Sequence, residues 1–154
     1  MNAENVKINA MDELECLALN IYHEARSESL AGQYAVADVT LNRVKNTKYP
    51  DTICGVVKQA VFSDWGVQRG RFIPKRNMCQ FSWYCDGQSD VPVETYSWLR
   101  SKGVAEDILS YRRFRGLTEG ATHYHADYVE PEWSFSRKMT LIGRIGDHIF
   151  YIEN

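Results

Sequence analysis

No run in this chain comes near the ~20 uninterrupted apolar residues that a membrane span needs, so no segment is expected to insert into a bilayer. An excess of one charge is missing too. Lys and Arg total 18 against 20 Asp and Glu, a net charge of −2, which leaves no overall field to draw the chain onto nucleic acid or an anionic membrane. Cysteine is sparse, with four in 154 residues, too few for a disulfide scaffold in a domain this long. The spacing from Cys79 to Cys85 is also not that of paired metal ligands. Repeats, low-complexity runs and linkers are absent, so a single domain is read over residues 1–154. Met1 to Leu14 has neither a charged and then apolar leader nor a small-residue cleavage pattern, so the usual export signal is not expected.

What is present is ordinary for a globular chain, with 44% hydrophobic and 25% charged residues. A chain of this length buries roughly two thirds of its unfolded surface. Aromatic residues make up 12%, which suits a core, an interface or a carbohydrate-facing surface. Leu14, Leu17, Ala18, Ile21 and Ala25 form a helical stripe, with Asp12 near its start and residues 1–11 expected to be loosely packed. After a cap-rich break at Ser27, Glu28 and Ser29, residues 30–45 are apolar around most of the cylinder, which predicts a buried central helix. Ile53 to Val61 predicts a short third helix, and residues 63–89 a functional loop without steady period. Asp90 before Pro92 predicts a fourth helix running to about Arg115, interrupted at Gly103, with Arg112, Arg113 and Arg115 facing its C-terminal dipole. Alternation on either side of Gly146-Asp147 predicts a C-terminal hairpin. The fold class is therefore α+β, mainly α.

Several clusters carry possible chemistry. Glu24 closes an otherwise apolar helix, where half-burial raises a carboxyl's pKa and makes it a usable proton donor near neutral pH. The alternative is a solvated Glu24 paired with Arg26 or His23. Glu28, four residues on, would share a helical face with Glu24, or would decorate the first turn of the next helix. His123, His125 and Asp127 alternate on an extended segment and could hold zinc, or the histidines pack beside a cleft without metal. Arg69, Arg71, Lys75 and Arg76, interleaved with Trp65 and Phe72, suit either a polyanion site or a solvated loop face. Gln80, Phe81, Ser82, Trp83 and Tyr84 offer amide, hydroxyl and aromatic faces for a sugar, or an anchor for a loop. Cys16 is expected as a buried thiol, while Cys54, Cys79 and Cys85 are free to pair in an oxidising compartment, with the partners left open.

The blocks LALNIYHEARSESLAGQYAVADVTLNRV, YPDTICGVV, CQFSWYCDG and GATHYHADYVEPEW follow one another in this order. In this the chain resembles the cell-wall hydrolase family of the spore-cortex-lytic enzyme type, which includes bacterial enzymes and phage endolysins. The resemblance spans residues 12–152. It implies a lysozyme-like helical domain that cuts peptidoglycan glycan strands as a lytic transglycosylase, with Glu24 as the catalytic residue and no metal or cofactor. It further implies that Glu28, Gln80, Phe81, Ser82, Trp83, Tyr124 and His125 bind substrate. Ser27 replaces the pattern's Gly, and Ser29 stands where Pro is frequent. A hydrolysing muramidase, a zinc amidase and a noncatalytic wall-binding module are the alternatives. With no leader read, a monomeric phage endolysin is expected, accumulating in the host cytoplasm and acting on the wall from the periplasm after release.

Overall fold

The computed structural model describes residues 3–71 and 73–154. The first helix, α1, spans Ala3–Ala25, so it starts well before the expected Asp12 and takes in most of the segment read as loosely packed. Its apolar stripe is buried, with Leu17, Ala18 and Ile21 at 0% exposure. Ser29 then caps α2, Leu30–Val44, by accepting the Gly32 N–H, so one departure from the family pattern supplies a cap.

Helix α2 is the central element that its all-round apolar sequence predicts. One side of it meets a cluster built from Leu17, Ile21, Val56 and Ile108. The other side carries Ala35 and Val39 against Ala121 and Phe150. Burying each of the larger side chains contributes about 1.5–3 kcal/mol. Polar residues of α2, with Asp38 and Arg43 buried and Asn42 half-buried, tie down the loop ahead of the sheet. Asp38 accepts from the backbone of Gly116 and Thr118, Asn42 donates to the Ala121 carbonyl, and Arg43 Nε donates to the Thr122 carbonyl at 2.7 Å.

The expected third helix divides into α3, Ile53–Val57, and a strand β1, Ala60–Phe62. Glu13 caps α3 by accepting from the N–H groups of Ile53 and Cys54. Residues 63–89 are more ordered than their irregular pattern suggests. They hold a one-turn helix α4, Asp64–Val67, a strand β2, Pro74–Cys79, antiparallel to β1, and a 3-10 turn at Ser82–Cys85. The basic residues Arg69, Arg71, Lys75 and Arg76 are exposed, and Arg69 stacks 4.3 Å over Trp65; Phe72 lies outside the described residues.

Cys16 is buried as expected but is not a thiol, because its helical position faces α3, and it is bonded to Cys54. Cys79 is bonded to Cys85, closing a ring around Gln80–Tyr84. Helix α5 spans Thr95–Leu109, shorter than predicted at both ends and unbroken at Gly103. Tertiary partners set its limits. The Tyr22 hydroxyl accepts from the N–H groups of Val93 and Glu94 ahead of it. At the other end Arg115 folds back and donates to the carbonyls of Ile108 and Leu109, both at 2.8 Å. This is the favourable meeting of cation and helix C-terminus that the sequence implied.

The predicted hairpin is β4, Met139–Ile145, and β5, His148–Glu153, turning at Gly146 with φ of 60°. A further strand, β3, His123–Ala126, pairs with the other edge of β5, giving the order β3-β5-β4. The α+β architecture, mainly helical, stands. No helix among the described residues is long and apolar enough to cross a membrane.

Candidate active site

Glu24 sits in the last turn of α1, where the helix runs out against β3 and β5. Two cavities, each of about 380 Å³, adjoin there and share His23, Glu24, Ala126, Tyr128 and His148 as walls. Together they form a groove with Glu24 at its middle. Arg43, Gln80, Phe81, Tyr124 and His125 complete one half, and Glu28, Asp127 and Asp147 are among the walls of the other. A third cavity of about 320 Å³ continues past His23 and is bordered by Tyr22, Arg26 and Trp83.

The partners that a merely structural Glu24 would use are committed elsewhere. Arg26 pairs with Glu94 at 2.7 Å, and His23 Nε2 lies 2.9 Å from the Asp90 carbonyl while its ring stacks on Trp83. No hydrogen bond or ion pair holds the Glu24 carboxyl among the described residues. Burial pushes its pKa up from 4.5 to about 7, with the nearby Arg43 cation pulling the other way. A carboxyl so placed holds its proton for a substantial part of the time near neutral pH and can both give it and take it back.

Every other acid on the groove walls is paired. Glu28 lies off the helix, which stops at Ala25, and its Oε1 is 3.2 Å from His148 Nδ1 while Oε2 accepts the Asp147 N–H. It therefore joins the turn between α1 and α2 to the β4–β5 hairpin, rather than sharing a face with Glu24. Asp127 and Asp147 both approach Arg144 Nη2, at 2.6 and 3.8 Å. Burial lowers the His148 pKa against the opposing pull of Glu28.

Of the residues predicted to bind substrate, Glu28, Gln80, Phe81, Tyr124 and His125 are gathered on the groove with Glu24. Trp83 lies beyond His23, 7% exposed, its indole N–H donated to the buried Asn20 at 3.0 Å. Ser82 is on the outer side of its 3-10 turn and exposed. His123 and His125 do share a face, since both rings pack on Trp133. Their nitrogens are engaged, however. His123 meets Thr122 and Glu153, His125 meets Tyr151 and the Ala126 carbonyl, and Asp127 turns to Arg144. No group of three His, Cys, Asp or Glu among the described residues is arranged to hold a metal.

The sequence reading missed Arg43 and His148 as walls. Arg43 left a signal, because a cation on a helix that is apolar all round must be buried and therefore needs a purpose.

Residues 27–151 match the model of a family described as Cell Wall Hydrolase. The chain belongs to that family. The chain is 42% identical over 143 residues to the spore cortex-lytic enzyme of Oceanobacillus iheyensis, covering 92% of the chain and 42% of that protein. It is 32% identical over 151 residues to that of Halalkalibacterium halodurans, covering 96% and 37%. The chain thus spans about two fifths of the length of these relatives. Its fold matches the catalytic domain of the germination-specific lytic transglycosylase SleB from Bacillus anthracis, with a TM-score of 0.57 and 26% identity over 90% of this chain and 93% of that one. The SleB catalytic domain from Bacillus cereus gives 0.56 and 26%, over 92% and 90%. The resemblance read from the sequence blocks is borne out, as is the fold it implied.

Proposed function

We propose that this domain is a lytic transglycosylase that cleaves the bond between N-acetylmuramic acid and N-acetylglucosamine in peptidoglycan, with Glu24 as its single acid and base. The observation that carries this reading is one unpaired, largely enclosed carboxyl at the middle of a groove whose other acids, Glu28, Asp127 and Asp147, are each held by a base. The neutral Glu24 gives its proton to the glycosidic oxygen as the bond from muramic C1 breaks, and the glucosamine residue leaves with a free hydroxyl. The muramic C6 oxygen then bonds to C1, and its proton returns to the Glu24 carboxylate. No water is consumed, so the product is a 1,6-anhydro sugar. Gln80, Phe81, Tyr124 and His125 bind the strand beside Glu24, Glu28 holds the groove's two walls together, and Trp83 and Ser82 border its extension past His23. The family match, the named relatives and the fold support the substrate class.

Mass spectrometry of a sacculus digest tests the reaction. Anhydro-muropeptides, lighter by one water than reducing-end products, are expected; reducing ends alone would assign a hydrolysing muramidase instead.

We extend the proposal to a setting in host lysis, supported by a resemblance that takes in phage endolysins, with the domain acting as a monomer. Both disulfides suit the oxidising side of the membrane, where a wall enzyme works. Expression inside a Gram-negative host is expected to lyse cells only once the inner membrane is permeabilised. Lysis without permeabilisation, or activity confined to spore cortex, would remove the endolysin role.

A further inference from the structure

Two donors in the groove have nothing to donate to. Nη1 of Arg43 and the hydroxyl of Tyr124 are buried without a hydrogen-bond partner among the described residues, while His148 Nδ1, which also makes no hydrogen bond, faces Glu28 Oε1 at 3.2 Å; folded proteins rarely tolerate such atoms without a reason. Both side chains line the same cavity as Glu24, and both are fixed. Arg43 is anchored by its Nε–H to the Thr122 carbonyl, with its guanidinium 5.0 Å from the Tyr49 ring and 5.5 Å from that of Phe81. The Tyr124 ring packs against His148 and Phe150, with centroids at 5.2 and 5.7 Å.

We propose that Arg43 and Tyr124 are positioning residues for Glu24, donating Nη1–H and phenolic O–H to its carboxylate while its proton is on the departing sugar. This rests on the lytic transglycosylase reading above. In the protonated form that starts the reaction, Glu24 carries no charge and the two donors are idle. When the proton passes to the glycosidic oxygen and the C1–O electron pair leaves with it, a carboxylate appears in a site that burial makes hostile to charge. Donors that line the same cavity and have no other partner can turn to that charge with little reorganisation. When the C6 hydroxyl returns a proton to Glu24, they are released. Burial raises the pKa of both Glu24 and Tyr124; against it the Arg43 cation draws Glu24 down, and a charged Glu24 pushes the Tyr124 phenol further up.

Other polar groups around Glu24 face partners of their own. His23 and Glu28, from α1 and the turn after it, are bound to the Asp90 carbonyl and to His148 of β5. His125 on β3 is held by Tyr151, and Asp127 and Asp147 at the rim by Arg144. Tyr128 is 86% exposed. Burial lowers the Arg43 pKa, and the carboxylate of Glu153, facing it beside the Tyr49 ring, favours its protonated form.

The test is Tyr124→Phe in the full chain, assayed on purified sacculi across pH and by thermal melting. The substitution removes one unpartnered hydroxyl and keeps the ring contacts, so the Tm is expected to hold or rise. The value of kcat is expected to fall at least about tenfold, with KM within about twofold because the ring that meets the strand is kept. The alkaline limb of the kcat profile, where Glu24 loses its proton, is expected to move to higher pH. Arg43→Lys keeps the charge, loses Nη1 and is expected to shift the limb the same way; if it does not fold, Tyr124→Phe decides. An unmoved limb or a wild-type kcat in Tyr124→Phe overturns the proposal whatever happens to the Tm. Glu24→Gln runs alongside: retained activity there defeats the reading of Glu24 itself, whereas an inactive Glu24→Gln with a wild-type Tyr124→Phe defeats the positioning role alone.

Discussion

Replacing Glu24 with Gln should abolish activity and at the same time make the protein more stable at alkaline pH. The carboxyl titrates near 4.5 when freely solvated and at about 7 in the folded chain. Its folded-state pKa is raised, so the folded form holds this proton more tightly than the unfolded chain. Stability is then greatest below about 4.5 and is lost as pH rises through about 7. At about 1.4 kcal/mol per tenfold change in proton affinity, the ionised carboxylate costs the fold about 3 kcal/mol at pH 8. A glutamine of nearly the same shape carries no charge to desolvate. For a chain of this size 1 kcal/mol moves Tm by roughly 2–4 °C, so Glu24→Gln should melt about 6–12 °C above the wild type at pH 8 and together with it near pH 4. Differential scanning calorimetry across that range, paired with a sacculus turbidity assay, measures both effects. Coincident melting curves at pH 8, or a variant less stable than wild type at every pH, would refute the burial of an unpaired carboxyl. More than a few per cent residual lysis would refute its catalytic use.

The disulfides should differ in weight. Cys16 and Cys54 are 38 residues apart and Cys79 and Cys85 only 6, so loop-closure entropy gives about 4 kcal/mol for the first and about 2 for the second. Urea titrations of the paired Ser variants should reproduce that order, and the Cys79/Cys85 variant should also lose activity because its ring carries Gln80 and Phe81. Glu28→Ala strips a buried partner from His148 and an acceptor from the Asp147 N–H. It should destabilise by about 1–3 kcal/mol and raise KM more than it lowers kcat, as read from initial rates. Asn20→Leu leaves the Trp83 indole N–H without its acceptor; chemical denaturation should show a loss of about 1–3 kcal/mol with the product spectrum unchanged.

Much of this was legible in the chain itself, though unevenly. Helix α2 was readable because an apolar surface around a whole cylinder permits one position, between two layers. The β4–β5 hairpin was readable because Gly146-Asp147 is a local turn signal flanked by alternation. Helix α5 was misjudged at both ends, since its limits are set by Tyr22 and Arg115, neither of which is in the helix. Residues 60–62 and 74–79 showed no strand pattern, because a two-stranded pair with little cover has no buried face to impose alternation.

For the site, the sequence by itself determined Glu24 as the candidate acid, through its place at the end of an apolar helix and in a recognisable block. It also supplied Gln80, Phe81, Tyr124 and His125 as neighbours. Tertiary structure decided that Arg26 and His23 are drawn away from Glu24, that Glu28 is consumed by His148, and that Arg43 and Tyr124 close in with unspent donors. Periodicity and turn chemistry act over a few residues and are written locally. Desolvation and pairing depend on which surfaces meet, and here the groove forms only when the last turn of α1, the last turn of α2 and the edge strand β3 come together.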